Sequence, residues 1–206
     1  MIWHFIPAGA PHFGGLWEAG VKSLKFHLKR TMGSHTLCRA EFSTLLCKVE
    51  AILNSRLLVA LSDDPSDLNA LTPGHFLIER PLVSVPEPSL LNTPENLLSR
   101  WQLVRRMQER IWSSWSHDYL HSLQQRSKWC NAHPNVHVNE LVLLKNNLLP
   151  PAKWELDRIT QVHPGSDGLA RVITLRTSHS EFKRPITQIC RLPIPVDTTS
   201  AECPQA

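Results

Sequence analysis

The 206-residue chain contains no run of about 18 apolar residues, so a membrane-spanning helix is excluded. Its five cysteines (Cys38, Cys47, Cys130, Cys190 and Cys203) form no CxxC pair and no dense framework. Free thiols in a reducing compartment are therefore expected. The residues Met1-Ile2-Trp3-His4-Phe5 offer neither a basic leader nor a cleavable apolar core, and a secreted protein is not expected. There is no internal repeat, and neither sign of charge dominates: 22 Lys and Arg against 18 Asp and Glu leave a net charge of +4. What is present is an ordinary folding composition, 42% hydrophobic and 19% charged. The length suits one medium domain or two small ones.

Charge is segregated along the chain. Residues 1–62 hold seven basic residues against three acids, and residues 63–99 hold one against six. Residues 100–135 hold six against two, and residues 136–206 eight against seven. Two basic blocks flank an acidic, Pro-rich connector, which implies distinct surfaces.

Ile2 to Ile6 reads as a short strand, followed by a loop from Pro7 to Gly15 rich in Pro and Gly. A helix is predicted from about Leu16 to Arg30, with the apolar stripe Trp17, Val21, Leu24 and Leu28. A second is predicted from about Arg39 to Arg56, burying Phe42, Leu45, Leu46, Val49, Ile52 and Leu53. Cys38 stands where Ser or Thr would complete a capping box with Glu41, so this helix should fray at its start. Leu57 to Asn92 reads as irregular, with five prolines. Thr93-Pro94-Glu95 then starts a helix of about 30 residues, whose face is Leu97, Trp101, Val104, Gln108, Ile111, Trp115 and Tyr119. Short strand-like runs follow at Glu140–Lys145, Trp154–His163, Leu169–Thr177 and Phe182–Leu192, and they suit a small β-barrel.

Glu18, Lys22, Lys25 and Lys29 fall within about 40° of one another on the first helix. Such a ridge can present a carboxylate to Mg²⁺ and ammonium groups to successive phosphates. The alternative is a solvated face with Glu18 and Lys22 as an i,i+4 ion pair.

Several motifs in order carry a family resemblance. They are Trp3-His4-Phe5-Ile6-Pro7, Ala10-Pro11-His12-Phe13-Gly14-Gly15-Leu16-Trp17-Glu18-Ala19 and Ile52-Leu53-Asn54-Ser55-Arg56. Next come Leu71-Thr72-Pro73-Gly74-His75-Phe76-Leu77-Ile78, Arg126-Ser127-Lys128-Trp129 and His163-Pro164-Gly165-Ser166-Asp167-Gly168. Together they resemble the integrase of BEL/Pao-type LTR retrotransposons. The resemblance implies an α+β chain: the end of an RNase H-like catalytic core over residues 1–92, with one strand and two helices. It further implies a helical linker over 93–135, a small SH3-like β-barrel over 136–193 and a disordered tail over 194–206.

By the same resemblance Glu18 is the third acid of an Asp-Asp-Glu triad and a Mg²⁺ ligand, and Lys22, Lys25 and Lys29 line DNA. His12 touches substrate or packs in its turn, and Arg158, Arg171, Arg176, Lys183 and Arg184 of the barrel meet phosphates or form a solvated surface. A nuclear location, a homo-oligomer or other polyprotein segments as partners, and no membrane complete the expectation. The two upstream aspartates are not in the chain, so cleavage or joining of DNA by it alone is not expected. A DNA-binding or protein-interaction module without catalysis is the alternative.

Departures from the family pattern include Leu57 for Pro, Glu79 for Gly, and Asn139 and Asp157 near expected glycines, where a turn would need φ > 0. His117, His121, Cys130, His133 and His137 have spacings that could hold zinc, although no CxxC half-site supports it. Arg100, Arg105, Arg106 and Arg110 cluster on the first half of the long helix and read as a solvated basic face, with phosphate binding as the alternative.

Overall fold

The computed structural model describes residues 14–83, 85–124, 135–146, 149–177 and 180–193, without the side chains of residues 16 and 17. The expected first strand, most of the loop after it, His12, the Arg126-Ser127-Lys128-Trp129 motif, Cys130, His133 and the tail lie outside the described residues. The fold is α+β, with four α-helices and a five-stranded antiparallel sheet among the described residues. Two compact units divide it, neither continuous in sequence: residues 1–49 with 89–115, and residues 50–88 with 116–206.

The first unit is helical. Helix α1 spans Gly15–Met32 and ends at Gly33, whose φ of 52° is accessible to glycine at little cost and whose N–H bonds Lys29 O. Its buried side differs from the predicted stripe: Val21 is exposed, whereas His27 is buried between the half-buried Leu24 and Leu28. His27 Nδ1 hydrogen-bonds Ser114 Oγ at 3.0 Å, which lets an imidazole sit inward. Helix α2 spans Arg39–Asn54, with Leu45, Val49 and Ile52 buried as the i, i+4, i+7 pattern requires. Helix α4 spans Arg100–Leu123, shorter than predicted. Thr93-Pro94-Glu95 opens only a 3-10 turn, Glu95–Leu97. The long helix starts instead on a Ser99/Gln102 capping box, in which Ser99 N–H donates to Gln102 Oε1 at 2.8 Å and Gln102 N–H to Ser99 Oγ at 3.3 Å. Val104, Met107, Ile111 and Trp115 are buried, but Leu97 and Trp101 of the predicted face are exposed.

The second unit is built on the sheet. Strands β1 (Val59–Ala60) and β2 (Ala70–Leu71) pair within the segment expected to be irregular, and α3 (Pro73–Ile78) follows. Every residue of Thr72-Pro73-Gly74-His75 has a local task. Thr72 caps, Pro73 occupies the first turn, and His75 Nδ1 accepts the Thr72 N–H at 3.0 Å. A Cβ on Gly74 would come within 3.1 Å of Leu82 N.

Strands β3 (Leu141–Leu144), β4 (Leu156–Pro164), β5 (Ala170–Arg176), β6 (Glu181–Pro185) and β7 (Ile189–Arg191) form a sheet in the order β6-β5-β4-β3-β7. The predicted last strand is thus two, parted by the 3-10 turn Ile186–Gln188 that follows Pro185. The recorded pairing leaves the sheet open, with β6 and β7 at its edges. Both faces of β3 are buried, which explains its unbroken apolar run. Val142 packs with Ile159, Ile173, Leu175 and Ile189; Leu141 and Leu143 pack on the other side with Leu57, Ala70, Leu120 and Cys190. Trp154 borders that second cluster rather than filling the sheet's main core, and its Nε1–H donates to Ser55 O at 2.9 Å. Tyr119 Oη donates to Leu57 O at 2.9 Å.

Candidate nucleic-acid interface

Helix α1 turns its packing side toward Leu24, His27 and Leu28, and the ridge of Lys22, Lys25 and Lys29 points away from it, all three exposed. Successive lysines are three and four residues apart, rises of about 4.5 and 6 Å, so the row can meet successive phosphates of a nucleic-acid strand. Glu18 at the first turn is exposed and forms no ion pair with Lys22, so the i,i+4 pair of the alternative reading is not made. Phe26 is exposed beside the ridge, with the Arg30 guanidinium 5.0 Å from its ring centre. Val21 is exposed on the other flank. The ridge is thus cationic at its centre and apolar at both margins.

The arginines of α4 do not add to it as a solvated face. Arg106 is buried, with Nη2 2.6 Å from Glu95 Oε2 and Nη1 donating to Thr93 O at 3.1 Å. Arg100 binds both oxygens of Glu41 and the Thr36 carbonyl. The Arg100 hydrogen bond and the Cys38 N–H hold the Glu41 carboxyl down at about 2. That N–H bond, at 2.8 Å, is half of a capping box, so α2 does not start uncapped as Cys38 suggested. Arg105 pairs with Glu109, and Arg110 is exposed.

The sheet cations divide into three kinds. Arg158 is 3% exposed and gives its guanidinium to main-chain carbonyls, to Asn139 O at 2.8 Å, Ser62 O at 3.2 Å and Asp67 O at 2.6 Å. This corrects its assignment as a phosphate contact: it is a buried tether. Arg171 is exposed but paired with Asp167 across Gly165, where a Cβ would meet both side chains. Arg176, Lys183 and Arg184 are exposed, and Arg184 lies 4.7 Å from the Phe182 ring centre. The register Arg158↔Arg176 and Thr174↔Lys183 puts Arg176 and Lys183 on one face of β5 and β6, with Arg184 opposite.

A Mg²⁺ ion does not fit the described residues alone. Glu18 belongs to no group of three or more His, Cys, Asp or Glu that could hold a metal ion among them. A single exposed carboxylate is a poor match for an ion that dehydrates reluctantly. Of the residues whose spacings could hold zinc, the described His117 and His121 stand together, with exposed rings stacked 6.2 Å apart.

Two features escaped the sequence reading. Asp157 is fully buried on β4, in a strand and not in a turn, and neither carboxylate oxygen has a hydrogen-bond partner among the described residues. Burial, aided by Glu155 and opposed by Arg184, pushes its carboxyl up to about 7. The second is the seat of the acidic connector, which Arg158 ties to the sheet; only the acidic composition of that segment hinted at it.

Residues 99–192 match a family of unknown function, DUF5641, which covers α4 and the five-stranded sheet. Neither the curated proteins nor the solved structures give a match to the chain.

Proposed function

We propose that the chain is part of a BEL/Pao-type retrotransposon integrase, acting in the nucleus on DNA, and that its own contribution is to hold nucleic acid. The observation that carries this is the exposed ridge of Lys22, Lys25 and Lys29 on the side of α1 away from its buried residues. The ordered motifs support it, together with a sheet in which a 3-10 turn precedes a last strand that returns to pair with β3. That connectivity supports an SH3-like, partly open barrel. Helices α1 and α2 are consistent with the end of an RNase H-like core.

In this reading Glu18 sits where a third catalytic acid belongs, and the remaining carboxylates of a metal clamp must come from elsewhere. The chain therefore binds DNA without cutting or joining it unaided. For a protein-interaction module acting through the long helix, Val104, Ile111 and Trp115 are buried, and only Leu97 and Trp101 of the predicted face are exposed among the described residues.

Anisotropy of a labelled duplex, titrated with the chain at several salt concentrations, tests the proposal. Binding should weaken steeply with salt, and Lys25→Glu should lower affinity about ten-fold at low salt by placing a repulsive charge amid the phosphates. Equal affinities for the two proteins would remove the ridge from the interface.

A further inference from the structure

The acidic connector is an odd neighbour for a cationic sheet face. Its main chain is fastened there: Ser62 O and Asp67 O accept from Arg158, and Asp63 O accepts from Asn139 Nδ2 at 3.0 Å. Within the loop, Asp64 Oδ1 accepts from the Ser66 N–H and hydroxyl at 2.8 and 2.7 Å, and Asp67 Oδ1 from Asn69. The loop therefore has a defined shape and a defined seat.

That seat is specific. Arg158 lies directly across from Arg176 on β5, and one step along the same face Thr174 lies across from Lys183 on β6. The loop covers the first of these cations, while Arg176 and Lys183 stay exposed. Asp63 and Asp64 are exposed, and the fields of Arg158 and Arg176 reach the Asp64 carboxylate. Glu181, across from Arg176, is the remaining acid of this row. The Asp64 carboxylate is thus held within the field of solvent-facing Arg176, on the face where a polyanion would otherwise bring its phosphates.

We infer that the β4–β6 face carrying Arg176 and Lys183 is a phosphodiester-binding surface, and that residues 62–67 of the same chain restrain it as a tethered acidic competitor. The choice of DNA as probe rests on the function proposed above. Because Arg158 holds the loop by carbonyls alone, its acids can be neutralised without unseating it. Asp64→Asn also retains the oxygen that Ser66 donates to.

The test is duplex binding by the full chain carrying Asp63→Asn and Asp64→Asn. Affinity should rise on the order of three- to ten-fold at low salt, with the gain lost at high salt. Adding Arg176→Ala should cancel that gain. Glu50→Gln with Asp118→Asn changes net charge equally on helices α2 and α4 and should give a much smaller rise.

An equal rise in that control, or a gain that survives Arg176→Ala, overturns the inference. So does no gain in a chain whose wild-type binding is sensitive to Lys25→Glu, and that result leaves the α1 reading intact. Binding that appears only after the loop is neutralised supports the inference and overturns the α1 reading. No binding by any variant overturns both.

Discussion

At the scale of single residues, burial without a partner has the largest consequence. Asp157 is flanked by β3, where it lies across from Val142, and its carboxylate has lost water without gaining a hydrogen bond among the described residues. Its carboxyl is raised from an ordinary 3.8 to about 7 in the folded chain. Between about pH 4 and 7 the folded state therefore keeps a proton that the unfolded state has released, and stability falls as pH rises through that window. The cost is complete above about pH 7 and amounts to at most roughly 4 kcal/mol. Asp157→Asn should remove it, so stability of the variant should be nearly flat where the wild type declines from about pH 4 to 7. Parallel curves for the two proteins would show that Asp157 does not carry that slope. Cys190 is the neutral counterpart: burial raises its thiol to about 11, and Sγ–H donates to Leu120 O at 3.3 Å. It is an inert core residue.

At the scale of elements, legibility followed the length of the pattern. Helix α2 was readable because its apolar positions repeat over four turns, and β4 and β5 because turn residues bracket them. The face of α1 was misassigned because a buried histidine satisfied by Ser114 looks polar in sequence. Strands β1 and β2 are two residues each, too short to show a period. The start of α4 was misplaced because Thr93-Pro94 is a strong signal, whereas the reciprocal Ser99/Gln102 bonds that won are separated from it by only a few residues. At Glu79 the reading was informative: an expected glycine is replaced, and Glu79 caps α3 in the left-handed region at φ 59°, ψ 15°. A side chain there costs about 1 kcal/mol relative to glycine. Glu79→Gly should stabilise the chain by roughly 0.5–1 kcal/mol, read as a higher urea midpoint at unchanged m-value. A lower midpoint would mean that the Glu79 side chain contributes more than its backbone conformation costs.

At the scale of the whole molecule, the ridge is more legible in sequence than the seat of the acidic connector, for a physical reason. Lys22, Lys25 and Lys29 converge through helix periodicity, which is local, whereas the connector meets Arg158 over a separation of more than 90 residues. Only folding reveals that the same basic count conceals a tether (Arg158), a paired charge (Arg171) and solvent-facing cations (Arg176, Lys183). A net charge of +4 cannot distinguish these. Salt dependence can, because each phosphate neutralised contributes about −0.9 to the slope of log K against log salt on duplex DNA. Three lysines engaged on α1 imply a slope near −3, and replacing all three by Gln should bring it close to zero while the acidic loop stays in place. Neutralising Asp63 and Asp64 should then add about −2 more, one increment each for Arg176 and Lys183. A wild-type slope already near −5 would mean that both surfaces are open to DNA together, and the tethered loop would not be a competitor.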